Sequence, residues 1–290
     1  MTKLRGQVVV ITGASRGLGR AIAEQAAAAG AIVVAAARGQ ADLDRLVADI
    51  VAAGGRASAC PTDVSSLEQM QALRDHALRE HGRLDAWVND AGTAGSFGPV
   101  AEVPPEQFLR VLDTNIRGVY FGSLLAIRKF REQGSGTLIN ILGRGDKSPV
   151  PMQCAYGSSK TWIRSFTLAL AREQADQPGI AVHALNPGMV ATAMLDHVDV
   201  IAGHESGLSV YPTIVGMWAR PPEVPARSVI ALLERGAAGK RRVEVQLMGM
   251  VWAMLRALRY ALRRLLGRVE PPKIELRTLP AWREPDSIDA

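Results

Sequence analysis

Residues 8–19 read Val8-Val9-Val10-Ile11-Thr12-Gly13-Ala14-Ser15-Arg16-Gly17-Leu18-Gly19. Five β-branched residues in succession leave no polar position for a solvent-facing side, so this run is expected as a strand covered on both faces. The glycines allow a tight turn, and the Ala-rich run that follows has the composition of a helix. The alternation repeats outward along the chain. Strands are expected at Gln7 to Thr12, Ala31 to Ala37, Arg56 to Cys60, Leu84 to Asn89, Gly136 to Leu142, Gly179 to Leu185 and Arg241 to Gln246. Helical patterns lie between them near 17–29, 41–53, 66–81, 105–133, 154–174 and 223–235. Right-handed crossovers then dictate an α/β architecture: a doubly wound parallel sheet of about seven strands with helices on both faces.

The composition fits a globular chain: 290 residues, 48% hydrophobic, 21% charged, with 28 Gly and 16 Pro. The net charge of +6 is local, because eight basic residues and a single acid, Glu244, fall between Lys240 and Arg268, leaving the rest near neutral. A nucleic-acid partner is therefore not expected, since that needs positive charge spread over a binding face. Aromatics at 5% are too few for base-stacking platforms. Two cysteines, Cys60 and Cys154, argue against a disulfide framework, and no Cys/His cluster offers a metal site. No uncharged apolar stretch of about 18 residues is present, nor a signal-peptide core, so a cytoplasmic location is expected.

A glycine-rich turn between strand and helix lets the backbone approach a pyrophosphate and aims helix N-terminal amides at it. The alternative reading is a tight turn and nothing more. The next strand ends Ala35-Ala36-Ala37-Arg38, without the acid that would bind a ribose 2′-hydroxyl. Arg38 and Arg16 instead offer fork-shaped donors suited to a phosphate monoester, which favours NADP over NAD. Further on, Tyr156 and Lys160 are spaced to share one helix face. An ammonium there is expected to lower the phenol from its reference pKa of about 10 and make Tyr156 an acid/base.

Taken in order, these motifs make residues 3–246 resemble the short-chain dehydrogenase/reductase family. They are the Thr12-to-Gly19 loop, Asp63-Val64, Asn89-Asp90-Ala91-Gly92, Asn115, Tyr156/Lys160, and Asn186-Pro187-Gly188 followed by Thr192. The resemblance implies a Rossmann-like sheet and a nicotinamide cofactor bound by Gly13, Ser15, Arg16, Gly17, Leu18, Gly19 and Arg38. It extends that site to Asp63, Val64, Asn89, Ala91, Gly92, Pro187, Gly188, Val190 and Thr192. It also implies that Lys160 binds the nicotinamide ribose, that Tyr156 exchanges the substrate proton, and that Asn115 positions a relay water.

One departure stands out. The family's usual serine falls thirteen residues before the tyrosine, and this chain has Gly143 there. A hydroxyl that normally polarises the substrate carbonyl is missing, a loss worth on the order of 10²-fold in rate. With the other motifs kept, the leading expectation is an NADP(H)-dependent oxidoreductase interconverting a carbonyl and an alcohol on a hydrophobic small molecule. Gly143 prompts an alternative, non-redox elimination or isomerisation, in which substrate fills the space at Gly143. A third reading is an NADP-binding protein without turnover.

The expected division is a cofactor-binding domain over 1–247, with 189–222 as a substrate lid, followed by a C-terminal extension over 248–290. Met248 to Arg268 reads as a basic amphipathic helix with Val251, Leu255, Leu258, Leu262 and Leu265 along one side, and the tail after it shows no periodicity. Such a helix can cover its own subunit, pack in the expected homo-oligomer, or lie on an anionic membrane surface.

Overall fold

A computed structural model describes residues 4–237, 244–247 and 249–284. In chain order the first half is β1 (Val8–Thr12), α1 (Gly17–Ala28), β2 (Ile32–Ala37), α2 (Gln40–Ala52), β3 (Arg56–Pro61), α3 (Leu67–His81), β4 (Ala86–Asn89), β5 (Ser96–Phe97) and α4 (Pro105–Leu112). A π-helical turn (Asp113–Arg117) leads into α5 (Gly118–Gln133), β6 (Gly136–Ile141), α6 (Cys154–Glu173) and β7 (Ile180–Asn186). Then come α7 (Ala193–Asp196), β8 (His197–Ile201), a 3₁₀ turn (Glu205–Leu208), α8 (Tyr211–Trp218), α9 (Glu223–Ala237), β9 (Glu244–Gln246), α10 (Met250–Leu265) and β10 (Glu275–Leu279).

The main sheet has the order β3-β2-β1-β4-β6-β7-β9 with every pairing parallel. All seven expected strands are in it. The stretch Arg241–Val243 of the seventh, and Met248 at the expected start of the last helix, lie outside the described residues. Alternation within β1 explains the two layers. Val9 and Ile11 pack with Leu43, Leu46 and Leu232 from α2 and α9, whereas Val8 and Val10 pack with Leu73, Leu125 and Phe130 from α3 and α5. β1 is thus buried on both faces, as an uninterrupted apolar run requires, while the edge strands β3 and β9 are only partly covered. Strand order reverses between β1 and β4, and in such sheets ligands bind beyond the strand C-termini at that point.

Three local outcomes differ from the pattern reading. The helix expected over 105–133 is interrupted by the π turn, which seats Asn115. The long 189–222 connection is not irregular throughout but carries α7, β8 and α8. The tail forms β10, which pairs in parallel with β8, itself paired with β5, giving a second, three-stranded sheet. Its residues carry no apolar periodicity because Glu275, Leu276, Arg277 and Thr278 are all exposed, and the strand is held by its backbone ladder and the Arg277–Asp199 ion pair.

Candidate active site

The glycine loop is built by close approach. Gly13 sits at φ +73°, and a Cβ there would stand 2.8 Å from the Ala91 backbone nitrogen. A Cβ on Gly19 would run into the Gly13 carbonyl oxygen. Thr12 Oγ1 ties the two strand ends together, accepting from the backbone N–H of Asp90 (3.2 Å) and Ala91 (3.3 Å). Ser15 is half-buried, Leu18 is buried, and Arg16 is exposed at the N-cap of α1. On the far side Thr192 Cγ2 lies 3.0 Å from the position a Cβ on Gly17 would take, so the segment after β7 packs against the loop. Gly188 (φ +75°) donates its N–H to Asn186 Oδ1 at 2.9 Å, and Val190 bridges to Arg220, which aims the Pro187–Thr192 segment across the strand ends.

Toward the C-terminal ends of β2 and β3, Arg38 and Asp63 line a cleft of about 310 Å³ with Ser65, Glu106, Leu109, Arg110, Asp113 and Thr114. Asp63 accepts from the backbone N–H and hydroxyl of Ser65 at 2.9 and 2.7 Å. Burial alone would raise its carboxyl, but these bonds, helped by Arg38, hold it below the usual range. Val64 is buried against Gly118. Among the described residues neither Arg16 nor Arg38 is within salt-bridge distance of an acid. Asn89 is set apart from the other candidates: its side chain points into the core, accepting from Trp87 Nε1 (2.8 Å) and donating to Asn140 Oδ1 (2.8 Å).

At the other end the reactive groups converge. Lys160, 6% exposed, donates its ammonium to the Ile141 carbonyl at 3.2 Å. Fully buried Asn115 accepts from the Thr93 N–H (2.9 Å) and donates to the Thr93 carbonyl and Ser159 Oγ (both 3.0 Å). Asn115 Oδ1 and Lys160 Nζ stand 3.4 and 3.8 Å from the position a Cβ on Gly92 would occupy. Tyr156 completes the group, its ring centroid 5.6 Å from Lys160 Nζ. Four residues before it, Met152 holds φ +66°, a conformation non-glycine residues adopt where surrounding structure imposes it.

Gly143 is buried beside this group. A Cβ built there would lie closer than 3.0 Å to Tyr156 Oη. The phenol has therefore settled into the volume a side chain at 143 would claim. That placement fills the space at Gly143 with the phenol, which weighs against the alternative in which substrate occupies it. Ser148, the nearby hydroxyl, is exposed on the loop after β6.

Residues 7–200 match the family model described as short chain dehydrogenase. The chain belongs to the short-chain dehydrogenase/reductase family. An uncharacterized oxidoreductase of Methylorubrum extorquens is 37% identical over 236 residues, 80% of this chain and 92% of that protein. A crystal structure of a tryptophan-substituted actinorhodin polyketide ketoreductase with NADPH superposes with a TM-score of 0.75 at 28% identity, covering 85% of this chain and 97% of the other. A 3-ketoacyl-(acyl-carrier-protein) reductase from Brucella melitensis, complexed with NADH, gives 0.74 at 30% identity over 86% and 99%. As a member of this family the protein is an oxidoreductase that works with a nicotinamide cofactor on a small-molecule carbonyl or alcohol.

The electrostatics of this short-chain dehydrogenase/reductase depart from the spacing argument. Tyr156 keeps some surface open to the cleft, but its phenol is desolvated. Burial, reinforced by Tyr211 and Asp146 and opposed by Arg144, pushes it up to about 12. In the protein alone burial outweighs any lowering by Lys160, whose ammonium donates to the Ile141 carbonyl and is itself pushed down to about 8 by burial, against the pull of Asp90 and Asp146. Asp90, at the floor of the cleft, is pushed up to about 7 by burial, against Lys160 and the Gly19 N–H. Asp146 and Tyr211 were outside the motif reading. Asp146 is buried and accepts from Gln246 Nε2 at 2.8 Å, and only the pairing of β7 with β9 brings Gln246 within reach. Tyr211 opens α8, and no spacing in the chain links it to Tyr156.

Proposed function

We propose that the protein is an NADPH-dependent reductase of a carbonyl on an apolar small molecule, with Tyr156 as the proton donor. The convergence of Tyr156, Lys160 and Asn115 beside a glycine loop packed against Thr192 carries this reading. The residues present fit the cofactor, since the Gly13–Gly19 turn leaves backbone N–H groups and the start of α1 free of any Cβ that would block a pyrophosphate. Gly13, Ser15, Arg16, Gly17, Leu18, Gly19, Ala91, Gly92, Pro187, Gly188, Val190 and Thr192 would hold it, with Asp63 and Val64 at the adenine and Lys160 at the ribose. Asn89 contributes by bracing β4 from within the core rather than by contact. When bound, the cofactor supplies hydride to the substrate carbon.

The protein's own part is protonic. A phenol at about 12 stays protonated through the neutral range, the form that donates to a carbonyl oxygen as it gains charge. Lys160, charged below about 8, holds positive potential beside the phenol and favours the phenolate left after donation. Asn115 fixes Ser159 and the Thr93 backbone, keeping the α6 face in register with the cleft. Preference for NADPH rests on Arg38 and Arg16 and on Ala37 where an acid would select NADH. The apolar substrate is read from the lid, where Met194 and Val210 are exposed and Leu208 and Val215 are buried.

The test is Tyr156→Phe assayed with a panel of apolar ketones. Turnover should fall by at least about 10³-fold, within the range of a lost general acid. NADPH affinity should stay within twofold. A Tyr156→Phe enzyme that retains ketone reduction would refute the assignment.

A further inference from the structure

Helix α10 is seated on the lid by one side only. Tyr260 is 7% exposed, and its hydroxyl sits 2.7 Å from where a Cβ on Gly216 of α8 would be. Trp218 Nε1 donates to the Ala253 carbonyl (3.3 Å), Arg256 to the Ala219 carbonyl (3.3 Å), and Arg264 to Thr213 Oγ1 (3.2 Å). At 3.6 residues per turn, positions 254, 255, 258, 262, 265 and 266 fall on the side away from Tyr260. The apolar row expected to cover protein therefore faces outward. Met254, Leu255, Leu258, Leu262, Leu265 and Leu266 are between 53% and 84% exposed. The side chain of Val251, assigned to the same row, lies outside the described residues. A contiguous row of six large apolar side chains is not an ordinary solvent face.

Charge selects the occupant. Residues 249–268 contain five arginines and no acid. Arg259 and Arg263 border the row, and Arg268 follows it, all exposed. A second copy docking through the same face would set this cationic edge against itself across a two-fold axis. An anionic bilayer supplies both complements at once, hydrocarbon for the leucines and lipid phosphates for the guanidiniums. The helix has 16 residues, about 24 Å at 1.5 Å each, which is short of the ~30 Å hydrocarbon core. No helix among the described residues is long and apolar enough to cross a membrane. We propose that α10 is an interfacial anchor that lies flat on an anionic lipid surface, leucine row inward and arginines at the headgroups, holding the lid against the bilayer.

The experiment is flotation of the full chain with vesicles of phosphatidylcholine containing about a third phosphatidylglycerol, and with phosphatidylcholine alone. At 50 mM NaCl the protein should float with the anionic vesicles at least tenfold better than with the neutral ones, and 500 mM NaCl should weaken binding severalfold by screening. Leu258→Asp/Leu262→Asp should abolish flotation, and Arg259→Glu/Arg263→Glu should reduce it by tenfold or more. Both pairs are exposed, so melting temperature should be unchanged. Leu262→Trp should show fluorescence quenching by brominated lipid chains, which places the row in the acyl region. Wild-type protein left at the bottom of the gradient at 50 mM NaCl would overturn the proposal. So would equal flotation of Leu258→Asp/Leu262→Asp. If that variant instead converts a dimer to a monomer in sedimentation, and the wild type ignores vesicles, the leucine row covers a second copy and the lipid assignment is wrong.

Discussion

Gly143→Ala adds one carbon where the structure has least room for it. The new Cβ would overlap Tyr156 Oη, while Tyr156 Cζ at 3.4 Å and Lys160 Cε at 3.3 Å stay at or just inside ordinary contact. Ordinary separation begins near 3.4 Å, so the phenol must retreat by roughly 1 Å, a displacement that costs about 10²-fold in a positioned reaction. Overpacking a closed site also costs about 1–3 kcal/mol. Steady-state NADPH oxidation with a ketone should therefore show kcat down roughly 10²-fold, NADPH affinity within a fewfold, and a lowered melting temperature. Gly143→Ser should behave alike, because its hydroxyl arrives on the same misplaced Cβ. The thermal loss should be recovered in Gly143→Ala/Tyr156→Phe, where the overlapping oxygen is gone, although that enzyme is inactive. If Gly143→Ala or Gly143→Ser keeps the wild-type kcat and melting temperature, the packing argument fails.

Arg38→Ala should weaken NADPH binding about ten- to a hundredfold and leave NADH nearly unchanged, as removal of a charge-assisted phosphate contact predicts; tighter NADH than NADPH binding by the unmodified protein in a titration would contradict it. Asp90, raised to about 7 in the fold, binds more protons folded than unfolded between its ordinary range and pH 7, so its contribution to stability falls as pH rises through that window. Asp90→Asn should gain melting temperature relative to wild type between pH 5 and pH 7.5, and a constant difference across that range would count against the assignment. Deleting residues 272–290 removes β10 and the Arg277 guanidinium, which grips Asp199 at 2.7 and 2.6 Å. Limited proteolysis within 189–222 should then accelerate and KM for apolar ketones should rise; an unchanged digestion pattern would show that the strand does not secure the lid.

The pattern of residues along the chain was enough for the sheet and for the glycine turn after its first strand. Residues 8–11 carry apolar side chains on both faces, as a doubly covered parallel strand requires, and the glycine turn after β1 needs no distant contact to be read. Short-range spacing also placed Tyr156 and Lys160 on one helix face. What it could not carry is anything set by groups far apart in sequence. The phenol is raised rather than lowered because the folded protein desolvates it and sets Tyr211 and Asp146 near it. Gly143 reads as a lost hydroxyl in one dimension, yet in three it is the room that Tyr156 occupies. The tail looked structureless because β10 has no apolar face to show, its order coming from a backbone ladder with a strand some 80 residues earlier. Amphipathicity was visible in α10, but which side meets the body was decided by Tyr260 fitting against Gly216, and that docking leaves the leucines facing out.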